Sequence, residues 1–384
     1  MQAVILAGGE GKRVRPLTWS RPKAMIPVAN QPIIEYTIDA LIKNGIRDII
    51  VVVGYRKEHV IRFLNQLDLP IDIVMQEKQL GTAHALKQAE SKITGDFLLL
   101  PGDNYIDPQS ITQIKDTKNA LLVKEHPNPS NFGVVTLQDG KVKNIVEKPA
   151  TSPTFLVSTG IYSLSSDFFR FIQGNDITDA ITAMIDDGIE LNALTATDWQ
   201  DAIYPWDLIR LNQRLLRHLP SEREGTSSRH ATIQGAVQIG KGTTIGPNTV
   251  ISGPVVIGND CVIGPNCCIL PNTSIGSRVT IEPLSLVGNA IVMDDTSIAS
   301  HSRIIDSVIG ERCLIADHTS TDTKGGYLEI EGAPIRSQFG AILGDNVTCG
   351  PFTRFQNSII GNNVTIEGDR AIKSRVLPDG SLVI

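Results

Sequence analysis

The sequence predicts an α/β domain followed by a left-handed parallel β-helix, and three observations carry that prediction. Short apolar runs alternate with helical patterns through the first part of the chain. From Arg229 one large aliphatic residue recurs every six positions. Between these two textures lies a polar segment, PSEREGTSS at 220–228, with no period at all. The expected organisation is a first domain over residues 1–219, a linker over 220–228 and a β-helix over 229–384.

In the first domain the apolar runs fall at 3–6, 49–53, 71–75 and 97–100, with helical stretches such as 33–43 and 82–90 between them. Strands alternating with helices imply a mainly parallel sheet with helices on its faces. In the second, Ile233, Ile239, Ile245, Ile251, Ile257, Ile263, Ile269, Ile275, Ile281 and Val287 keep a six-residue spacing. Glycine follows many of them, and a smaller residue stands four places on, from Val237 and Thr243 to Ser285 and Ile291. Each hexad forms one flat side and three make a coil, with the aliphatic and the smaller residue stacked inside. Cys261 and Cys267 occupy the smaller inward positions, so packing and not metal binding is expected of them. The repeat weakens through Met293, Ala299 and Ile305 and resumes out of phase at Ile309 and Ile315. An insert is expected at 317–337, after which hexads return at Leu343, Cys349 and Phe355.

Composition bounds the function. The 384 residues suit two domains, and 41% hydrophobic content suits substantial cores. A net charge of −6 provides no basic field for nucleic acid. No run of about 18 apolar residues suggests a membrane span. The opening MQAVILAGGEGKR reads as a buried strand and not a secretory signal, and five cysteines without CxxC spacing fit a cytoplasmic protein with reduced thiols.

The chemistry concentrates in Leu6-Ala7-Gly8-Gly9-Glu10-Gly11-Lys12-Arg13, directly after a predicted strand. Glycines there let backbone N–H groups approach phosphate oxygens. The segment is neither a P-loop nor GxGxxG. Arg13, Arg15, Arg21 and Lys23 follow, stiffened by Pro16, Pro22 and Pro27. Arg13 suits a bidentate grip on a polyphosphate and Lys23 a point charge. Asp103 follows FLLLPG and so stands at the carboxyl end of a strand, where open parallel sheets place their ligand crevice.

The stretch LAGGEGKRVRPLTWSRPKAMIPVANQPIIEY resembles the signature of the sugar-1-phosphate nucleotidylyltransferases. The likeness continues in QLGTAHA (79–85), PGDN (101–104), NFG (131–133), VEKP (146–149), STG (158–160) and YPWD (204–207). It implies a Rossmann-like nucleotidyltransferase domain that joins an NTP to a sugar 1-phosphate with release of pyrophosphate, using Mg²⁺. Arg13 and Lys23 are then the catalytic cations. Leu6, Ala7, Gly8, Gly9 and Gly11 line the nucleotide; Gln76 or Gln79 pairs with the base beside Gly81 and Thr82. Gly133, Glu147, Lys148, Ser158 and Thr159 fall in sugar-binding segments. Asp103 and Asp207 would hold the metal, though Asp207 also suits a helix N-cap before LIRLN. The attacking phosphate is already ionised, so no general base is needed. The expected nucleotide is UTP, then dTTP. Ser158 replaces an asparagine of N-acetylglucosamine-specific relatives and leaves glucose and N-acetylglucosamine 1-phosphates both open.

The whole chain is similar to archaeal enzymes that also acetylate glucosamine 1-phosphate. Here the catalytic histidine's position is Ser300, its tyrosine's is Arg303, and His301 is one place off. Three readings follow: a nucleotidylyltransferase whose β-helix assembles a homo-oligomer, with a trimer expected; a bifunctional enzyme; and a non-catalytic regulatory subunit. The first is favoured, with nucleotidyl transfer expected to survive deletion of 229–384.

Overall fold

Consecutive apolar residues make the first strand, β1 (Gln2–Ala7), a buried one, as a strand covered on both faces requires. The strands after it are β2 (Pro27–Val28), β3 (Gln31–Pro32), β4 (Asp48–Val53), β5 (Ile71–Met75), β6 (Phe97–Pro101), β7 (Asn104–Ile106), β8 (Ala120–Glu125), β9 (Gly133–Gln138), β10 (Lys141–Glu147), β11 (Leu156–Leu164), β12 (Asn192–Thr195) and β13 (Trp199–Asp201). Helices are α1 (Ile33–Lys43), α2 (Lys57–Leu64), α3 (Thr82–Gln88), α4 (Pro108–Lys115), α5 (Ile177–Asp186) and α6 (Asp207–Leu216). The computed structural model describes residues 1–384. They form two compact units: Met1–Glu10, Arg21–Met25 and Pro32–Asp201 in the first, and Gly11–Ser20, Ile26–Gln31 and Ala202–Ile384 in the second.

The first unit is built on a nine-stranded sheet in the order β5-β4-β1-β6-β11-β8-β12-β10-β9. Its first four strands are parallel, as the alternation of strands and helices predicts. The other half is mixed: β11 runs antiparallel to β6 and β8, and β9 and β10 form a hairpin. The turn between them uses Asp139 and Gly140 at φ 52° and 76°, residue types that tolerate positive φ. Phe97, Leu99, Val4 and Ile50 pack with Leu86, Phe168 and Ile181 into one core.

In the second unit three parallel sheets of nine, nine and eight strands make a left-handed β-helix. Ile239, Ile257 and Ile275 are successive register partners in one sheet, and Ile245, Ile263 and Ile281 in another. Cys261 and Cys267 are buried in this core as packing residues. The weakening of the repeat has a simple cause. After Val287 one corner loses a residue, so Ile275 pairs with Val292 and Ile281 with Ile298. The inward residues are therefore Val292, Ile298 and Ile304, with Ala290 as the small partner, and not Met293, Ala299, Ile305 and Ile291. Asn and Asp recur at positive φ on the corners (Asn248, Asp260, Asn266, Asn272), where their short polar side chains tolerate the left-handed region.

Two boundaries differ from expectation. The polar segment 220–228 is no free linker: Glu222–Arg223 and Thr226–Ser227 pair in parallel with the next coil and begin the helix. Backbone pairing there needs no apolar side chains, so hydropathy misses it. The insert is narrower than 317–337. Ser320–Asp322 still pairs with the coils, and the departure is an antiparallel hairpin of Gly326–Ile330 with Ala333–Ser337. Helix α6 also groups with the β-helix, where Leu216 meets Ala29 and Val256.

Candidate active site

The loop after β1 is folded onto a buried amide. Tyr55 N donates to Gly8 O at 3.0 Å. A Cβ on Gly8 would stand 2.6 Å from Gln76 Oε1, so a larger residue there has to displace the tip of that amide. Gln76 itself is buried. Its Nε2 donates to Gly81 O at 3.1 Å and lies 3.1 Å from His84 Nδ1. Gln79 Nε2 donates to Gln76 O at 3.2 Å. Gly81 has φ 144° and would place a Cβ 2.4 Å from Asn175 O. Gly8, Gln76, Gln79 and Gly81 thus form one cluster, in which His84 orients the Gln76 side chain. Thr82 turns elsewhere, its hydroxyl accepting from Ile177 N at the start of α5.

Strand β6 ends at Pro101, Gly102 N closes onto Leu6 O at 2.8 Å, and Asp103 follows half-exposed. The carboxylate gathered beside it is Asp201. Strand β13 pairs antiparallel with β7, opposing Asp201 to Asn104. Lys23 Nζ then lies 3.1 Å from Asp103 Oδ2 and 2.5 Å from Asp201 Oδ1, with Lys23 only 6% exposed. Burial by itself would push this ammonium down, but the two carboxylates outweigh it and raise the pKa above the ordinary lysine value. Asp207, the first residue of α6, turns back onto the preceding turn instead, its Oδ2 accepting from Ile203 N at 3.1 Å and Tyr204 N at 2.9 Å. The sequence expectation paired Asp103 with Asp207; the structure pairs Asp103 with Asp201. The only sequence trace of that pair is the short strand Trp199-Gln200-Asp201, whose partner strand is remote along the chain.

Two carboxylates converging on one cation suit a divalent metal, which takes one or two carboxylates together with phosphate oxygens. Asp103 and Asp201 therefore fit such an ion.

Glu147 stands opposite Gly133 across the β9/β10 pair and bonds Lys148 at 2.8 Å. Ser158 Oγ lies 3.1 Å from the Tyr162 hydroxyl, and burial raises the Tyr162 pKa. Thr159 Oγ1 donates to Leu122 O at 2.8 Å and holds a bulge in β11. Both hydroxyls serve the strand that carries them. In the second unit Gly11, at φ 67°, precedes the single turn Lys12–Val14, leaving Lys12 exposed and Arg13 partly so. Arg15 lies over the Trp19 ring at 3.7 Å.

On the β-helix, Ser300 donates from N and Oγ to Glu282 Oε2 at 3.2 and 3.1 Å. His301 and His318 occupy equivalent corners of adjacent coils, their rings stacked 4.8 Å apart.

Comparison with known proteins agrees with this arrangement. The nucleotidyl transferase family profile matches residues 2–217, and a profile described as the GMPPB C-terminal domain matches 251–382. A bifunctional protein GlmU of Methanococcus maripaludis is 38% identical over 100% of this chain and 99% of its own. A bifunctional sugar-1-phosphate nucleotidylyltransferase/acetyltransferase of Sulfurisphaera tokodaii is 33% identical over 91% of each chain. A solved Bacillus anthracis structure, named as a glucose-1-phosphate thymidylyltransferase in complex with sucrose, is 27% identical with TM-score 0.53, covering 58% of this chain and 97% of its own. The profile spans more than half the sequence, and the relatives run along nearly all of it, so the chain belongs to the sugar-1-phosphate nucleotidyltransferase family.

Proposed function

We propose that the chain forms a UDP-sugar from UTP and glucose 1-phosphate or N-acetylglucosamine 1-phosphate, with Mg²⁺ held by Asp103 and Asp201. The observation that carries this is the Lys23 ammonium between those two carboxylates at the end of β6. Mg²⁺ would supply charge screening between the anionic phosphates. Lys23 is a fixed cation whose charge is secured by its neighbours, and it stabilises the charge that builds on the α-phosphate. Arg13 holds the triphosphate. The Gln76 amide, oriented by Gly81 O and His84, reads a pyrimidine edge. Glu147 accepts from sugar hydroxyls and Lys148 meets the sugar phosphate. Pyrophosphate release is screened over the NTPs and sugar 1-phosphates. UTP is expected first and dTTP second; a preference for ATP or GTP overturns the base assignment. Asp103→Ala and Asp201→Ala are expected to abolish turnover. Asp207→Ala is expected to cost roughly 0.5–1.5 kcal/mol of stability for each of its two bonds to Ile203 N and Tyr204 N while retaining turnover. Turnover retained in Asp201→Ala removes it from the site.

For the β-helix the proposed role is assembly of a homo-oligomer. Ser300, tied to Glu282, supplies no base for acetyl transfer. The full-length likeness to bifunctional relatives and the His301–His318 pair favour the second reading, in which glucosamine 1-phosphate is also acetylated. Thiol release from acetyl-CoA that depends on glucosamine 1-phosphate and is lost in His301→Ala or His318→Ala establishes that reading; its absence leaves assembly.

A further inference from the structure

We propose that Asp345 and Asn362, on late coils of the β-helix, are positioning residues for nucleotidyl transfer: they clasp the basic loop Gly11–Ser20. The proposal rests on the reading that this loop carries Arg13 to the triphosphate.

The loop is a series of tight turns. Val14 N donates to Gly11 O at 3.0 Å, Arg15 N to Lys12 O, Leu17 N to Val14 O and Trp19 N to Pro16 O, each at 3.2 Å. Thr18 Oγ1 ties the end back to Gly11 O at 3.0 Å. Val14, Leu17 and Thr18 are buried, while Lys12 and Arg13 reach solvent. These bonds fix the loop's internal shape. Two bonds tie it to the β-helix. Ser20 Oγ donates to Asp345 Oδ2 at 2.6 Å, and Asn362 Nδ2 donates to Pro16 O at 3.2 Å. Asp345 is 2% exposed and Asn362 6%, so neither bond exchanges freely with water.

Both acceptors and donors come from a ladder that runs along one corner of the coils. In it a side chain accepts from the backbone N–H of the equivalent residue one coil earlier. Asn259 Oδ1 accepts from Lys241 N at 2.9 Å and Asp294 Oδ1 from Ser277 N at 2.9 Å. Asp345 Oδ1 accepts from Glu311 N at 2.9 Å and Asn362 Oδ1 from Asp345 N at 2.7 Å. The ladder needs one oxygen from each. Asp345 turns its second oxygen onto the loop, and Asn362 Nδ2 divides between Pro16 O and Asp379 Oδ1 of the next rung, each at 3.2 Å; the bonds to the loop are ones a purely structural ladder does not require. A rigid coil stack is a firm base for a loop that has to hold cations in one geometry.

The test uses the full-length protein. Ser20→Ala removes one clasp from the loop side and leaves the ladder whole. Asn362→Asp keeps the ladder acceptor but loses the Nδ2 bonds to both Pro16 O and Asp379 Oδ1, so it is read beside Ser20→Ala, which touches neither. Asn259→Ala breaks the same ladder away from the loop. Amide hydrogen exchange within residues 11–20, KM for the nucleotide, kcat and Tm are measured for each. Ser20→Ala and Asn362→Asp are expected to speed exchange in the loop and raise KM roughly two- to tenfold per lost bond. Asn259→Ala is expected to lower Tm with KM and loop exchange unmoved. The proposal is overturned if Ser20→Ala and Asn362→Asp leave KM unmoved, whether or not exchange rises, or if Asn259→Ala raises KM equally. Wild-type protein that turns over no nucleotide overturns the functional reading itself, while the exchange data still show whether the clasp exists.

Discussion

Gly8 shows how a single missing Cβ shapes the candidate site. A Cβ there would meet the Gln76 side chain, and that amide is held in turn by Gly81 O and His84. A methyl group at Gly8 displaces Gln76 Oε1 and so disturbs an amide whose Nε2 makes both of those bonds. Gly8→Ala is therefore expected to raise KM for UTP about tenfold, with a nearly unchanged melting temperature, because the loop itself keeps its turns. Steady-state kinetics beside thermal denaturation checks it; an unchanged KM would remove Gln76 from nucleotide binding. The glycine-rich turn and Asp103 were legible from sequence because each directly follows an apolar strand. Asp201 was not, because its place beside Asp103 comes from an antiparallel pairing between strands far apart in the chain.

At the level of elements, α1 stores an electrostatic cost. Burial first, and then Asp39, raise the pKa of Glu35 above the ordinary carboxylate value, and burial likewise raises Asp39 against the opposing pull of Lys43. A carboxyl whose pKa is higher in the folded than in the unfolded state favours folding while protonated. That contribution is present in acid and is lost as pH rises through the raised folded value. Glu35→Gln is thus expected to be more stable than wild type at neutral pH by a few tenths of a kcal/mol, the group being partly exposed. The advantage should vanish below about pH 4, where unfolded Glu35 is itself protonated. Melting temperatures of both proteins across that range decide it; a constant gap would assign the effect to packing. The β-helix elements were readable because a strict six-residue period leaves little freedom of register. The shift at Val287 escaped because Ile291, Val292 and Met293 are all apolar, so a side chain on either face fits the pattern. The closing of the corner by one residue decides which of them points inward.

On the scale of the whole molecule, the β-helix is more than an appendage to the catalytic domain. One side of it carries chain that sequence alone assigns to the first 219 residues. Leu216 of α6 and Ala29 pack on Val256, and Trp206 stacks between Tyr204 and Phe339 at 4.8 and 5.2 Å. Asn212, 1% exposed, accepts from Ala29 N at 2.8 Å and donates to Asn272 O at 3.0 Å. A compact unit that spans Gly11–Ser20, Ile26–Gln31 and Ala202–Ile384 cannot be divided at residue 220 without opening these contacts.

That division changes the outcome expected of deleting residues 229–384. From sequence, the first 219 residues should carry nucleotidyl transfer alone. In the structure the deletion uncovers Leu216, Ala29 and Trp206, and it leaves the Asn212 side chain without its β-helix partners. Each large apolar side chain returned to water costs about 1.5–3 kcal/mol, against a total stability of about 5–15 kcal/mol for a domain. The loop Gly11–Ser20 would also lose Asp345 and Asn362. The truncated chain is therefore expected to melt well below the intact protein and to show a raised KM for UTP even below its own melting temperature. Restoring polarity at the uncovered surface with Leu216→Gln and Trp206→Gln should recover solubility but not KM, because it replaces no clasp. Sedimentation, melting curves and kinetics on the truncated and the repaired chains separate the two effects. A soluble 1–228 fragment with wild-type KM would show that the first domain stands alone and that the β-helix serves assembly only.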